Sequence, residues 1–188
     1  MIRHATAAAL LAAALAAAPL GAGAKAEDIR IAHVYGKTGA LEAYAKQSHI
    51  GFMMGLEYAT DGTMEIDGRK IVVIEKDTQL KPDIGRAALA EAYGDDDVHL
   101  AVGPVSSGVA LAMLPVAEEY GKLLLVEPAV ADSITGENWN RYIFRTGRNS
   151  SQDAIANAVA LGGELLGHLG VDVVEHRHRL RVGHRLAA

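Results

Sequence analysis

Between Glu27 and Gly170 short apolar runs alternate with longer stretches whose apolar residues recur every three or four positions. Alternation with period two marks a half-buried strand, and a period near 3.6 marks a helix. Ile29 to Val34 reads as a first strand, Gly36-Lys37-Thr38-Gly39 as a turn, and Leu41 to Thr60 as a helix stopped by Asp61-Gly62. Ile50, Met53, Met54 and Tyr58 form the predicted inner face of that helix. Ile71 to Ile74 is unbroken in its apolar character, as a strand buried on both faces should be. Pro82 suits the first turn of the next helix, where its missing N–H costs nothing, and Ile84, Ala87 and Ala88 face inward.

Val98 to Val102 and Lys122 to Val126 are the third and fourth strands. The helix between them begins at Ser106-Ser107 and ends at Gly121, with Val109, Ala112, Met113, Val116, Ala117 and Tyr120 inward. Pro115 lies inside it and should kink it or loosen a turn. Tyr142 to Arg145 is a further extended run, and Ser150 opens a helix with Ala154, Ile155, Ala158 and Val159 on its inner face. Val171 to Val174 is one more candidate strand. Strands alternating with helices specify an α/β fold. The expectation is a three-layer α/β/α arrangement with about four parallel strands.

The two ends of the chain read differently from this body. Arg3 and His4 precede an alanine-rich apolar run, Ala5 to Leu20, and small residues follow as cleavage options; a secretory signal ending at Ala26 is expected. The run is short for a membrane span, which needs roughly 20 residues. Glu27 to Glu175 holds 12 basic and all 23 acidic residues, a net charge of −11, which disfavours nucleic acid as a partner. His176 to Ala188 carries four arginines, three histidines and no acid, and reads as an aberrant basic tail from a frameshift or a mispredicted gene end. Cysteine is absent, which excludes disulfides, thiolate metal sites and a lipid-anchored N-terminal cysteine.

Candidate chemistry concentrates at two strand ends. Ligands of open α/β sheets bind beyond the carboxyl ends of strands, where this chain places Gly103-Pro104-Val105-Ser106-Ser107-Gly108 and Val126-Glu127-Pro128-Ala129-Val130-Ala131-Asp132. Free amides at a helix start favour a carboxylate, and serine hydroxyls add neutral donors. The same serines serve equally as helix caps. Glu127 ends an apolar strand, where it either faces a ligand ammonium, pairs with a nearby cation, or is an exposed structural residue. Tyr44 either walls a pocket or packs in the core. His33 sits mid-strand and His49 and His99 on other elements, so no metal site assembles from them, and His176, His178 and His184 match no structural zinc pattern. Neither strand-end loop pairs a nucleophile with a base, and phosphate-loop, dinucleotide and Gly-x-Ser-x-Gly motifs are missing. These residues describe a binder rather than an enzyme, with no cofactor.

Taken in order, Ile29-Arg30-Ile31-Ala32, Thr38-Gly39-Ala40 with Tyr44, Lys70 to Lys76 with Asp77 and Pro82, Gly103 to Ser107, Glu127-Pro128-Ala129 and Tyr142 to Thr146 resemble the branched-chain amino-acid-binding proteins of ABC uptake systems. The resemblance covers about Glu27 to Gly170. It implies the type I periplasmic binding protein fold: lobe one at 27–146 and the start of an incomplete lobe two at 147–175. It further implies a periplasmic location, membrane permease subunits as partners, and an amino acid or small carboxylate held between lobes that close like a hinge. Carried over, Ser106 and Ser107 are carboxylate contacts, Ala129, Val130 and Ala131 line the cleft, and Tyr44 belongs to the first-lobe wall. Where amino-acid binders tend to have an Ala-Thr pair, this chain reads Ala129-Val130-Ala131. That departure favours a carboxylate without an α-amine, unless Glu127 substitutes. With half a cleft, weak or no binding is expected. A ligand-sensing domain of the same fold, regulating a partner protein, is the alternative.

Overall fold

A computed structural model of the chain describes residues 27–168. The expected signal at 1–26, the strand at Val171 to Val174 and the tail at 176–188 lie outside the described residues, as does the end of the segment assigned to lobe two. Six strands form one sheet: β1 (Ile29–Tyr35), β2 (Glu65–Ile66), β3 (Arg69–Asp77), β4 (Leu100–Val102), β5 (Leu123–Val126) and β6 (Ile143–Arg145). Among the described residues four α-helices accompany them: α1 (Glu42–Ala59), α2 (Pro82–Gly94), α3 (Ser107–Tyr120) and α4 (Ser150–His168).

The sheet order is β2-β3-β1-β4-β5-β6. All neighbours run parallel except β2, which folds back antiparallel on β3. The parallel sheet therefore has five strands rather than about four, because Ile143 to Arg145 of the expected extended run pair with β5 (Leu125 opposite Phe144). The β2–β3 hairpin is an addition to the sequence reading. Its turn residues, Asp67 and Gly68, both have positive φ (+52° and +74°), which is the Asp-Gly signature of a tight hairpin. The register places Ile31 beside Val73 and Leu100, and Ala101 beside Leu124.

Alternation along each strand gives the sheet two apolar faces. Ala32, Val34, Ala101, Leu124, Val126 and Ile143 pack beneath α2 and α3, against Leu89, Tyr93, Val109 and Met113. Pro82 opens α2 as expected, and α3 runs unbroken through Pro115. On the other face Ile31, Ile71 and Val102 meet Phe52 and Leu56 of α1. Here the sequence expectation is corrected. Ile50, Met54 and Tyr58 are exposed, and α1 turns Ala45, Phe52 and Leu56 inward instead. The helix carries two apolar stripes, and spacing alone does not say which one meets the sheet. Tyr120, and Ile155 and Val159 of α4, are likewise exposed rather than inward.

Chain order reverses between β1 and β4: β1 is followed by β3 on one side and by β4 on the other. Their carboxyl ends, with that of β5, thus form a topological switch point. Gly103 lets β4 leave the sheet beside β1. Its φ is +123°, and a Cβ there would lie 2.0 Å from the Val34 carbonyl oxygen, so only glycine fits.

Candidate functional site

The loops after β4 and β5 both begin with a cis X–Pro bond, Gly103–Pro104 and Glu127–Pro128. They are tied together along their length. The Ala129 N–H donates to the Pro104 carbonyl (3.2 Å), and the Val130 and Ala131 N–H groups donate to Ser107 Oγ (3.2 and 3.1 Å). A serine oxygen offers two lone pairs and one proton. With both lone pairs engaged, Ser107 keeps a single free donor, its O–H. Ser107 is thus the clasp between the two loops, a role the sequence reading did not assign it.

Ser106 takes the N-cap position of α3 but makes no side-chain capping bond (φ −84°, ψ 126°). Its carbonyl receives the first helical bond, from the Ala110 N–H at 2.9 Å. The amides of Ser107, Gly108 and Val109 precede that bond and are the unsatisfied start of the helix. A half-buried hydroxyl and a helix start therefore share one rim, the arrangement that accepts an anion. Of the cleft residues expected after β5, Ala129 is buried in the core, so it offers the rim backbone and not a side chain. Val130 and Ala131 are half-buried.

Further hydrogen bonds hold the β5 loop from below. The Val130 carbonyl accepts both the N–H and the hydroxyl of Ser150 (2.8 Å each), and the Ala131 carbonyl accepts an Arg145 guanidinium N–H (2.5 Å). Asp132 accepts from the Ser151 hydroxyl (2.6 Å) and amide (3.2 Å), and the hydroxyl above all holds its carboxyl below the usual range. On the β1 side, Thr38 donates to Asp77 through its hydroxyl (2.7 Å) and amide (3.2 Å).

Beside the rim, on the α1 face of the sheet, lies a depression of about 420 Å³. Val102 and Leu125 form its floor, Tyr44, Ser48 and Phe52 of α1 its wall, and Glu127 its edge. The Glu127 carboxylate accepts the Thr146 hydroxyl. Thr146 and His33 also border this bay. The expected site residues therefore divide. Tyr44 stands in the bay, whereas Ser106, Ser107 and Ala129 to Ala131 are not among its lining residues. The sequence reading missed Gln47, Ser48, Phe52, Thr146 and His33. The signal available was the polar-and-small stripe Tyr44, Gln47, Ser48 and Gly51, which repeats at helical spacing along one flank of α1.

A family model described as a periplasmic binding protein matches residues 28–177. A Leu/Ile/Val-binding protein of Rhizobium johnstonii is 31% identical over 148 residues, which are 79% of this chain and 39% of that protein. A crystal structure of an ABC-type branched-chain amino acid transporter from Rhodopseudomonas palustris is 73% identical, with a TM-score of 0.69 over 71% of this chain and 36% of its own. A solute-binding protein of an ABC transporter from another strain of that organism, in complex with 3,4-dihydroxybenzoic acid, is 28% identical (TM-score 0.57; 65% of this chain, 32% of its own). The chain thus spans between about a third and two fifths of the length of these proteins.

Proposed function

Because the chain belongs to the periplasmic binding protein family, we propose that it is the solute-binding component of an ABC uptake system for branched-chain amino acids or related small carboxylates. Residues 27–146 are its first ligand-binding lobe, and α4 opens a second. In this reading 1–26 is a cleaved export signal, the protein works in the periplasm, and membrane permease subunits are its partners.

The observation that carries the ligand reading is the rim itself. Ser107 locks the β4 and β5 loops together through two backbone amides, and its one remaining proton, the Ser106 hydroxyl and the start of α3 have no acceptor among the described residues. A carboxylate is the small group that satisfies several such donors at once. The rim segment Ala129-Val130-Ala131 has no side-chain hydroxyl for an ammonium group. Glu127 is the carboxylate lining the bay, at its edge, and a ligand with an α-amine would be oriented by it. An acid without an amine needs only the serine rim.

Calorimetric titration of the chain with isoleucine and with 3,4-dihydroxybenzoate, each beside its amide, tests this reading. The acids are expected to bind weakly, roughly in the millimolar range, and the amides not measurably. Ser106→Ala should weaken both acids. Equal binding of acid and amide, or acid binding unchanged in Ser106→Ala, would overturn it.

A further inference from the structure

Two imidazoles meet on the α1 face of the sheet. His33 lies mid-β1 and is 1% exposed, and His49 lies two turns into α1. Their Nδ1 atoms are 2.7 Å apart, and with centroids 5.0 Å apart and planes at 12° the rings lie edge to edge, nitrogen facing nitrogen. Tyr35 stacks on both rings, at 4.4 Å from His33 and 5.0 Å from His49, and Phe52 tilts against His33 at 4.9 Å.

The other ionisable groups around the pair are few. From β3, Glu75 accepts the Tyr35 hydroxyl (2.5 Å) and the Lys37 ammonium (3.1 Å). Its carboxyl is held low by those bonds, the Tyr35 bond foremost, and it attracts a proton toward His33. Asp77, also on β3, acts on Tyr35. The β4 residue in register with His33 is Val102, which cannot titrate. Against this background the pair has simple proton chemistry. Two ring nitrogens this close need one proton between them, with one Nδ1 donating and the other accepting. A first added proton settles on an outer Nε2 and leaves that bond intact. A second must go to the accepting Nδ1, which leaves two donors facing each other and two positive rings edge to edge.

We propose that the His33–His49 pair is a proton-sensitive latch seating α1 on the sheet, closed while the pair holds at most one added proton and released by the second. Burial of His33 and the neighbouring His49 oppose charging, and bring the His33 pKa from 6.5 to about 4. The latch therefore loosens as pH falls from 6.5 toward 4, the range in which His33 takes a proton once α1 is released but not while α1 is seated. Because α1 also carries Tyr44, Ser48 and Phe52, its release removes one wall of the bay. The proposal goes beyond the ligand reading and does not depend on it.

Amide hydrogen exchange of the 188-residue chain between pH 6.5 and pH 4, corrected for intrinsic rates and resolved by residue, is the test. Protection of the amides after His49 in α1 is expected to fall by up to about tenfold for each pH unit between 6.5 and 4, before the β4 and β5 amides lose theirs. His49→Asn keeps a donor and an acceptor but takes no proton, so its α1 should stay protected to pH 4. His49→Gln serves the same purpose should the asparagine variant not fold. Ring-carbon NMR titration of the unmodified chain is a second readout, with two coupled steps expected, the lower near 4. Loss of α1 and strand protection together, the same acid loss in the uncharged variant, or two independent ring titrations near 6.5 would each overturn the latch.

Discussion

On one face of the sheet α2 and α3 lie side by side and bury Ala32, Ala101, Leu124 and Ile143. On the other, α1 alone among the described residues covers β1 and β3, while Leu123 of β5 and Phe144 of β6 are 40% and 53% exposed. Parallel sheets usually bury both faces. The contrast separates what holds the lobe together from what it leaves available. The closed face supplies cohesion; the open face holds the bay and the paired histidines; and the serine rim sits where both meet the strand ends.

The largest expected effect comes from the closed face. Met113→Ala, at a site with no exposure, should lower unfolding free energy by about 2–5 kcal/mol in urea denaturation. Phe144→Ala on the open face should cost less than about 1 kcal/mol. Similar losses for the two would erase the contrast between faces.

Acid probes the open face next. His33 has a folded-state pKa lowered from 6.5 to about 4. The unfolded chain therefore binds more protons than the folded one between those values. Stability is full above pH 6.5 and declines as pH falls to about 4, by about 3 kcal/mol from this group at most. Replacing His33 with Gln should flatten that decline in denaturation measured across the same range. An unchanged slope would mean that other groups set it.

The rim should respond by smaller amounts and with a division of roles. Ser107→Ala strands the Val130 and Ala131 amides and is expected to cost about 1–3 kcal/mol. Ser106→Ala removes a hydroxyl without a side-chain cap bond and should change stability by no more than about 0.5 kcal/mol. A reversal of that order in thermal or urea unfolding would reassign the clasp.

Much of the fold was legible from the chain because its signals are local. Pro82 at a helix start, Gly121 after a helix, Ser150 opening α4 and the apolar runs of β1, β4, β5 and β6 all stand where the sequence puts them. The inner face of α1 was not legible. Ile50, Met54 and Tyr58 compete with Ala45, Phe52 and Leu56 at the same spacing, and only the position of β1 decides between them. Long-range pairings were hidden for a related reason. His33 and His49 lie 16 residues apart on different elements and become neighbours through the strand–helix crossover. Ser107 was visible as a strand-end hydroxyl. Its partners across 23 and 24 residues, which make it a clasp, were not.

The central claim is that the serine-bearing strand ends receive a small carboxylate. Titration of the isotopically labelled chain with isoleucine and 3,4-dihydroxybenzoate, followed by amide NMR shifts, tests it most directly. The account expects saturable shifts centred on Ser106 to Val109 and on Val130 and Ala131, diminished in Ser106→Ala. Shifts confined to Ser48, Phe52 and Leu125 in the bay, or none at ligand concentrations well into the millimolar range, would contradict it.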